Sequence, residues 1–228
     1  MTQFIKHSPC SQCGSKDNLA EYSDHYYCFG CGYWKPKNDI NSVRSRLSER
    51  SNAMRSDECL NISNDIPQRA MQWLLSYGIT QSDVDYYHLG WHNQSQSLVL
   101  VNVPGYWQAR SFNNGPKYLS KGSKPLIFYG NGGILVCVED VLSAIKVSKA
   151  DNVIAIPLLG SSMPLELTET ILERFKTVRI WLDRDKAVEA VKMVRNLKQK
   201  GVDADVIITD KDPKEYNTKE INEWLKSR

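Results

Sequence analysis

Acidic residues follow two apolar runs of the sequence, at the point where each run ends. They are Glu139 with Asp140 after residues 134–138, and Asp183 with Asp185 after residues 178–182. Continuous apolar runs of this length are typical of strands that are buried on both faces of a parallel sheet. The carboxyl ends of such strands meet at one sheet edge, where open α/β proteins place their chemistry. Because divalent cations can offset clustered carboxylates, the sequence predicts a magnesium site at this edge.

Four cysteines near the N-terminus form two CxxC pairs, Cys10 with Cys13 and Cys28 with Cys31, separated by 14 residues. Four thiolates at this spacing suit tetrahedral zinc and leave no open coordination position. We therefore predict one structural zinc ion in a ribbon over residues 1–35. So small a unit has too little core to fold without its metal.

The elements that must position the acids follow from hydrophobic periodicity. From residue 134 onward the sequence alternates between strand and helix patterns, which is typical of a parallel sheet. The predicted strands are 134–138, 153–157, 178–182 and 205–209, and the predicted helices are 140–149, 164–175, 186–200 and 218–226. Before them, residues 97–103 and 106–112 are expected to form a hairpin, and residues 115–124 a flexible basic loop.

An acid-free segment precedes the first acidic strand end. From Tyr86 through Val138 there is no Asp or Glu, although the chain contains 26 acids. Four basic residues lie in this segment: Arg110, Lys117, Lys121 and Lys124. A phosphate-bearing partner would be attracted to such a surface. The alternative is a basic surface that only contacts solvent.

Composition excludes several classes of protein. Hydrophobic content of 41% and charged content of 24% are ordinary for a globular protein. No apolar run approaches the ~20 residues that span a bilayer, and residues 1–7 lack the apolar segment of a secretory signal. We therefore expect a cytoplasmic protein without membrane contact, where six cysteines favour metal ligation over disulfides. Neither GxxxxGK[ST] nor GxGxxG occurs, so an NTPase motor is not expected.

The two acidic strand ends resemble those of the Toprim fold, which primases, topoisomerases and some nucleases share. In that family a Glu follows the first strand and Asp-x-Asp follows a later one, and Glu139 and Asp183-Arg-Asp185 match these positions. Asp212 resembles the last acidic position of the family, with Asp210 as the competing choice. The resemblance implies that Glu139, Asp183 and Asp185 are catalytic and that these three and Asp212 hold magnesium.

The order of the parts resembles DnaG-type primases, and more closely the primase half of the helicase-primases of short-tailed phages. Three passages carry this resemblance: His7-Ser-Pro-Cys10-Ser-Gln-Cys13-Gly-Ser, Tyr22-Ser-Asp24-His25 with Trp34, and Gln108-Ala-Arg110 with Lys117-Tyr118-Leu119. The implied fold class is α/β. Its parts are a four-cysteine zinc ribbon (1–35), a flexible basic linker (36–64), a small α+β subdomain (65–130) and a Toprim parallel sheet (131–228).

Two features depart from the family pattern. The family usually has a Gly and two more residues between its Glu and a following Asp-x-Leu-Ser, whereas Glu139 directly precedes Asp140-Val-Leu-Ser143. Either Glu139 or Asp140 could therefore be the first metal ligand. The sequence also ends at Arg228 without a helicase, so we expect that a separate replicative helicase and a DNA polymerase act with this protein.

The resemblance implies a DNA primase that makes short RNA primers on single-stranded DNA from ribonucleoside triphosphates. Two magnesium ions, which manganese could replace, would assist the transfer. The four basic residues listed above would bind nucleotide or template. Asp24, His25 and Trp34 would read a template trinucleotide, in the cytoplasm of a bacterial host if a phage encodes the chain. The alternatives are a non-catalytic zinc and Toprim recombination mediator that binds DNA, and a Toprim nuclease.

Overall fold

The computed structural model describes residues 3–23, 25–31, 33–37 and 59–226. The chain divides into two compact units, residues 1–54 and residues 55–228. Most of the predicted basic linker, residues 38–58, lies outside the described residues. The last residues of the predicted linker belong to the second unit, in which the Leu60 amide donates a hydrogen bond of 2.8 Å to Asn102 Oδ1. The domain boundaries within residues 36–64 stay a prediction.

The first unit is a small antiparallel ribbon. Its strands, in spatial as well as chain order, are β1 (Phe4–Ser8), β2 (Leu19–Tyr22), β3 (His25–Cys28) and β4 (Trp34–Pro36). The buried apolar residues of the described part of this unit are Ala20, Cys10 and Cys28. Two of these three are metal-ligand types, which agrees with a fold that depends on zinc.

The second unit begins with two helices and a four-stranded antiparallel sheet. The helices are α1 (Gln68–Ser76) and α2 (Gln81–Tyr86), and the strands are β5 (Gly90–His92), β6 (Ser97–Val103), β7 (Tyr106–Ser111) and β8 (Tyr118–Gly122), paired in that order. The predicted hairpin is confirmed as β6 and β7. The prediction of a flexible loop over 115–124 is wrong for residues 118–122, which pair with β7. This edge strand is largely exposed and polar, so its side chains lack the alternation that indicates a strand.

A five-stranded sheet forms the rest of the second unit. Its strands are β9 (Tyr129–Gly130), β10 (Ile134–Val138), β11 (Val153–Pro157), β12 (Thr177–Trp181) and β13 (Asp203–Val206), in the spatial order β13-β12-β10-β11-β9. All neighbours are parallel except β9, which is antiparallel to β11. The four predicted strands are therefore present as β10 to β13, with β10 and β11 at their predicted bounds. β12 begins and ends one residue earlier than predicted, and the prediction of a strand is wrong for residues 207–209, because β13 ends at Val206.

Helices cover both faces of this sheet. They are α3 (Val141–Val147), α4 (Leu165–Arg174), α5 (Ala187–Gln199) and α6 (Thr218–Lys226). Alternate residues of β10 enter two cores: Leu135 and Cys137 pack with α4 and α5, whereas Val136 and Val138 pack with α3 and α6. This double burial explains why β10 is a continuous apolar run. Among the described helices, none is both long enough and apolar enough to span a membrane.

Candidate functional site

The four cysteines of the ribbon converge on one point. The Sγ atoms of Cys10 and Cys31 lie 3.9 Å apart, those of Cys13 and Cys28 lie 3.7 Å apart, and all four lie within 4.8 Å of one another. Tetrahedral zinc with Zn–S bonds of about 2.3 Å requires sulfur atoms about 3.8 Å apart. The cluster therefore fits one zinc ion, as the CxxC spacing predicts.

The carboxylates after β10 and β12 lie at the same edge of the parallel sheet. The two strands pair in register, with Val138 opposite Trp181, so Glu139 and Asp183 follow the paired strand ends by one and two residues. Glu139 Oε2 and Asp183 Oδ1 are buried and have no hydrogen-bond partner among the described residues. A buried carboxylate oxygen without a partner is costly. A bound cation would satisfy both oxygens, so these residues fit a magnesium ion.

Burial and the proximity of several carboxylates change the pKa values of the acids at this edge of the sheet. Burial raises the pKa of Asp183 to about 7, and the nearby carboxylates of Asp212, Glu139 and Asp140 add to the rise, while the Lys214 ammonium opposes it. Burial also raises the pKa of Glu139, together with the charges of Asp185 and Asp140. Both acids thus resist ionisation more than an exposed carboxyl, which is typical of groups that need a cation.

Asp140 and Asp212 already have ion-pair or hydrogen-bond partners within the chain. Asp140 caps α3 by accepting hydrogen bonds from the Ser143 amide (3.0 Å) and hydroxyl (3.2 Å). Lys214 Nζ lies 2.8 Å from Asp140 Oδ2 and 2.8 Å from Asp212 Oδ2. Burial alone would lower the pKa of Lys214, but its interactions with these two acids raise that pKa above its ordinary value. Of the two candidates for the first metal ligand, only Glu139 has a buried oxygen without a partner.

The remaining acids lie further out. The Asp185 side chain is 71% exposed and pairs with Lys186 at 3.0 Å. The Asp210 side chain is 89% exposed and pairs with Arg184 at 3.0 Å. Within the described residues, the four cysteines are the group of three or more potential ligands whose atoms lie within 4.8 Å of one another. The carboxylates are neighbours, but they do not form so tight a cluster.

A basic and aromatic wall faces the acids across a cavity of about 230 Å³. The residues around this cavity are Trp73, Tyr77, Arg110, Lys117, Tyr118, Glu139, Asp140, Asp183, Asp212 and Lys214. The Arg110 guanidinium lies 5.5 Å from the ring centres of both Trp73 and Tyr118, and its Nε is buried without a hydrogen-bond partner among the residues that the structure describes. Arg110 and Lys117 therefore place positive charge opposite the carboxylates.

Two of the four predicted basic residues lie elsewhere. Lys121 is on β8, is exposed and pairs in register with Trp107. Lys124 donates a hydrogen bond of 2.6 Å to the Leu159 carbonyl and lines a different cavity, beside Pro157 and Pro164. The structure thus brings Arg110 and Lys117, but not Lys121 and Lys124, to the cavity of the acids. A charge count along the sequence could not separate them, because all four lie in the same acid-free segment.

The predicted template-reading residues lie in the ribbon. The His25 ring stacks on Tyr22, with ring centres 4.6 Å apart and planes inclined by 14°. The Phe29 side chain is 61% exposed. Asp24 and the side chain of Trp34 lie outside the described residues, although the backbone of Trp34 begins β4. The roles of these three predicted residues stay predictions.

Sequence reasoning missed several residues of the cavity. Trp73 lies on α1 and Tyr77 directly follows it, and nothing in the local sequence distinguishes them from the buried face of an ordinary helix. Lys214 follows Asp212-Pro213, in a segment that also contains several acids. A lysine between carboxylates of distant segments has no local sequence signal, since the contact with Asp140 spans 74 residues.

The structure resembles solved primase structures. The zinc-binding and RNA polymerase domains of the Aquifex aeolicus primase match with a TM-score of 0.56 and 14% identity, over 99% of this chain and 80% of that one. The Escherichia coli primase catalytic core matches with a TM-score of 0.53 and 15% identity, over 72% of each chain. A DnaG catalytic core matches with a TM-score of 0.52 and 13% identity, over 72% of this chain and 74% of that one.

No protein-family model matches the sequence, and no curated protein matches it either. At 13–15% identity the structural likeness establishes the fold and not the activity. The α/β fold class with its four-cysteine ribbon is confirmed, as is the resemblance to DnaG-type primases at the level of architecture. This chain therefore has the fold of the zinc-binding and RNA polymerase domains of DnaG-type primases.

Proposed function

We propose that this chain is a DNA primase, a nucleotidyltransferase that makes short RNA primers on single-stranded DNA. The observation that carries the proposal is the cavity in which Glu139 and Asp183 face Arg110 and Lys117. Acids with unsatisfied buried oxygens on one side and cations on the other suit a metal-bound polyphosphate. The primase fold supports the same conclusion.

In this reaction the 3′-hydroxyl of one ribonucleotide attacks the α-phosphorus of the next, and pyrophosphate leaves. Glu139 and Asp183, with Asp185 and Asp212 beside them, are the residues that would hold magnesium. When bound, magnesium neutralises phosphate charge and assists the attacking hydroxyl. Arg110 and Lys117 would bind the phosphates of the incoming nucleotide and keep them opposite the carboxylates.

The size of the cavity agrees with this role. At about 230 Å³ it is smaller than the roughly 300–1,000 Å³ that encloses a drug-sized ligand. It would enclose phosphates and a cation, and leave the base and the template outside. We propose that the ribbon supplies template recognition through Asp24, His25 and Trp34, and that a replicative helicase and a DNA polymerase act as partners in unwinding and primer extension.

Primer synthesis on defined templates tests the proposal. The zinc-loaded chain is incubated with labelled ribonucleoside triphosphates, magnesium and single-stranded oligonucleotides that together contain every trinucleotide. We expect short oligoribonucleotides on a subset of templates, and a loss of about two orders of magnitude or more in Asp183→Asn. Asp210→Asn is the matched control, because Asp210 is exposed and does not line the cavity; it should keep its activity.

Other outcomes would identify the alternatives. Breakage of the oligonucleotides that depends on Asp183 would indicate a Toprim nuclease. Binding of single-stranded DNA without any RNA product on any template would indicate a recombination mediator. Either result would refute the primase proposal.

A further inference from the structure

Lys214 occupies a central position among the carboxylates of the cavity. Its Nζ lies 2.8 Å from both Asp140 Oδ2 and Asp212 Oδ2, and its side chain is only 12% exposed. The ammonium also lies 6.0 Å from the centre of the Tyr77 ring. This is the geometry of a fixed internal cation and not that of a surface lysine.

The backbone around Lys214 holds it in place. Asp212 begins a 3-10 turn over Pro213–Glu215, in which Pro213 is buried. The preceding residues are tied to β12, because Trp181 Nε1 donates to Thr209 Oγ1 (2.8 Å) and this hydroxyl donates to the Lys211 carbonyl (2.8 Å). Lys214 is therefore carried by a loop that is anchored on the sheet.

The acids of the site divide into two pairs. Asp140 and Asp212 each have Lys214 as a cationic partner, and Asp140 also accepts two hydrogen bonds from Ser143. Glu139 and Asp183 each keep a buried oxygen without a partner in the described part of the chain. A divalent cation and an ammonium cannot occupy the same position between Asp140 and Asp212.

We propose that Lys214 replaces one of the two metal ions expected at such a site, so that this chain binds a single divalent cation, at Glu139 and Asp183. The inference rests on the proposed function, whose polymerising site it refines. Lys214 is then a positioning residue: it neutralises Asp140 and Asp212 and adds a permanent positive charge to the cavity that Arg110 and Lys117 line. Part of the positive charge of the site is therefore present before any metal binds.

Manganese titration followed by electron paramagnetic resonance directly tests how many divalent cations the chain binds. The full-length, zinc-loaded chain without nucleotide should bind one Mn²⁺, and Lys214→Met should bind two because Asp140 and Asp212 become available. Lys211→Met is the matched control, since Lys211 lies three residues away and is exposed; it should bind one. Two ions in the wild type, or one in Lys214→Met, would overturn the inference.

A second measurement remains informative if Lys214→Met folds poorly. Without divalent cations its melting temperature should fall by about 5 °C or more, because two acids lose their partner. Added Mn²⁺ should restore it, whereas Lys211→Met should melt like the wild type with and without Mn²⁺. A loss that Mn²⁺ does not restore would contradict the idea that the lysine stands in for a metal.

Substitutions of the individual acids, in a chain that keeps Lys214, complete the test. Glu139→Gln and Asp183→Asn should weaken the single Mn²⁺ site by about tenfold or more, and Asp140→Asn should change its affinity far less. A strong effect of Asp140→Asn would overturn the inference.

The result is independent of the activity assay. A chain that makes primers and binds two Mn²⁺ ions contradicts the inference and leaves the primase proposal intact. A chain that binds one Mn²⁺ ion and makes no primers supports the inference and contradicts the primase proposal.

Discussion

At the scale of single residues, Asp183 is the group whose environment conflicts most with its own charge. It lies two residues after the end of β12, it has a buried oxygen without a partner among the described residues, and it lies among other carboxylates. Such an arrangement is unfavourable for folding and is retained in proteins mainly where a ligand compensates for it. The free energy of unfolding of the metal-free chain should therefore depend on whether Asp183 is ionised.

We expect Asp183→Asn to stabilise the magnesium-free, zinc-loaded chain at high pH. Burial raises the folded-state pKa to about 7, whereas the unfolded value is about 3.9. Ionisation of Asp183 therefore destabilises the folded wild type progressively as the pH rises from about 4 to about 7. The variant, which cannot ionise there, should be more stable by about 1–2 kcal/mol at pH 8, after allowance for solvent screening.

Urea unfolding of both proteins between pH 4 and pH 8 measures this difference. It should be near zero at the acidic end and reach a plateau above pH 7. A difference that does not change with pH would show that Asp183 is not strained by its charge. Asp210→Asn, at an exposed position, serves as the control.

At the scale of elements, the pairing of β7 with β8 positions the basic wall of the cavity, because Arg110 is on β7 and Lys117 directly precedes β8. Tyr118 begins this strand opposite Arg110 of β7, and Gly122 ends it opposite Tyr106. Gly122 has a φ of +97°, and a Cβ there would overlap the carbonyl oxygen of Gly105. Only glycine permits this close approach of two backbone segments.

We expect Gly122→Ala to destabilise the second unit by about 2–4 kcal/mol, because the strained φ and the overlap with Gly105 act together. Gly201→Ala is the matched control: its φ is +84°, but nothing lies within 4 Å of the added Cβ. The control should cost about 1 kcal/mol. Urea unfolding measures both, and equal losses would show that the contact with Gly105 can relax.

At the scale of the whole molecule, the two units depend on different sources of stability. Residues 55–228 contain two extensive apolar cores on the two faces of the parallel sheet. The described part of residues 1–54 buries few apolar side chains and places four thiols at one point. Metal ligation should therefore control the folding of the first unit alone.

We expect Cys13→Ser to abolish zinc binding and to unfold the ribbon, while the melting temperature of the second unit stays within about 2 °C of the wild type. Zinc content, limited proteolysis of residues 1–54 and thermal melting measure the three effects. Cys59→Ser, which changes an exposed cysteine outside the cluster, should match the wild type in all of them. Retention of one zinc ion by Cys13→Ser would contradict the four-cysteine site.

Local patterns were sufficient for the parts of this protein that depend on neighbours in sequence. The paired CxxC spacing predicted the zinc cluster because each pair spans a single turn. The apolar runs before Glu139 and Asp183 predicted β10 and β12, because residues buried on both faces leave a continuous apolar signal. The meeting of these acids at one edge then followed from parallel pairing.

Only the tertiary structure decided how the cavity is composed. It placed Arg110 and Lys117 opposite the acids, directed Lys124 to the Leu159 carbonyl and inserted Lys214 between Asp140 and Asp212. It also paired the polar residues of β8 with β7. These contacts join distant segments, and their energies depend on burial and on charges brought together by folding. Residue types and spacing identify the candidate metal ligands, whereas the contacts made on folding pair Asp140 and Asp212 with Lys214 and leave an oxygen of Glu139 and of Asp183 without a partner among the described residues.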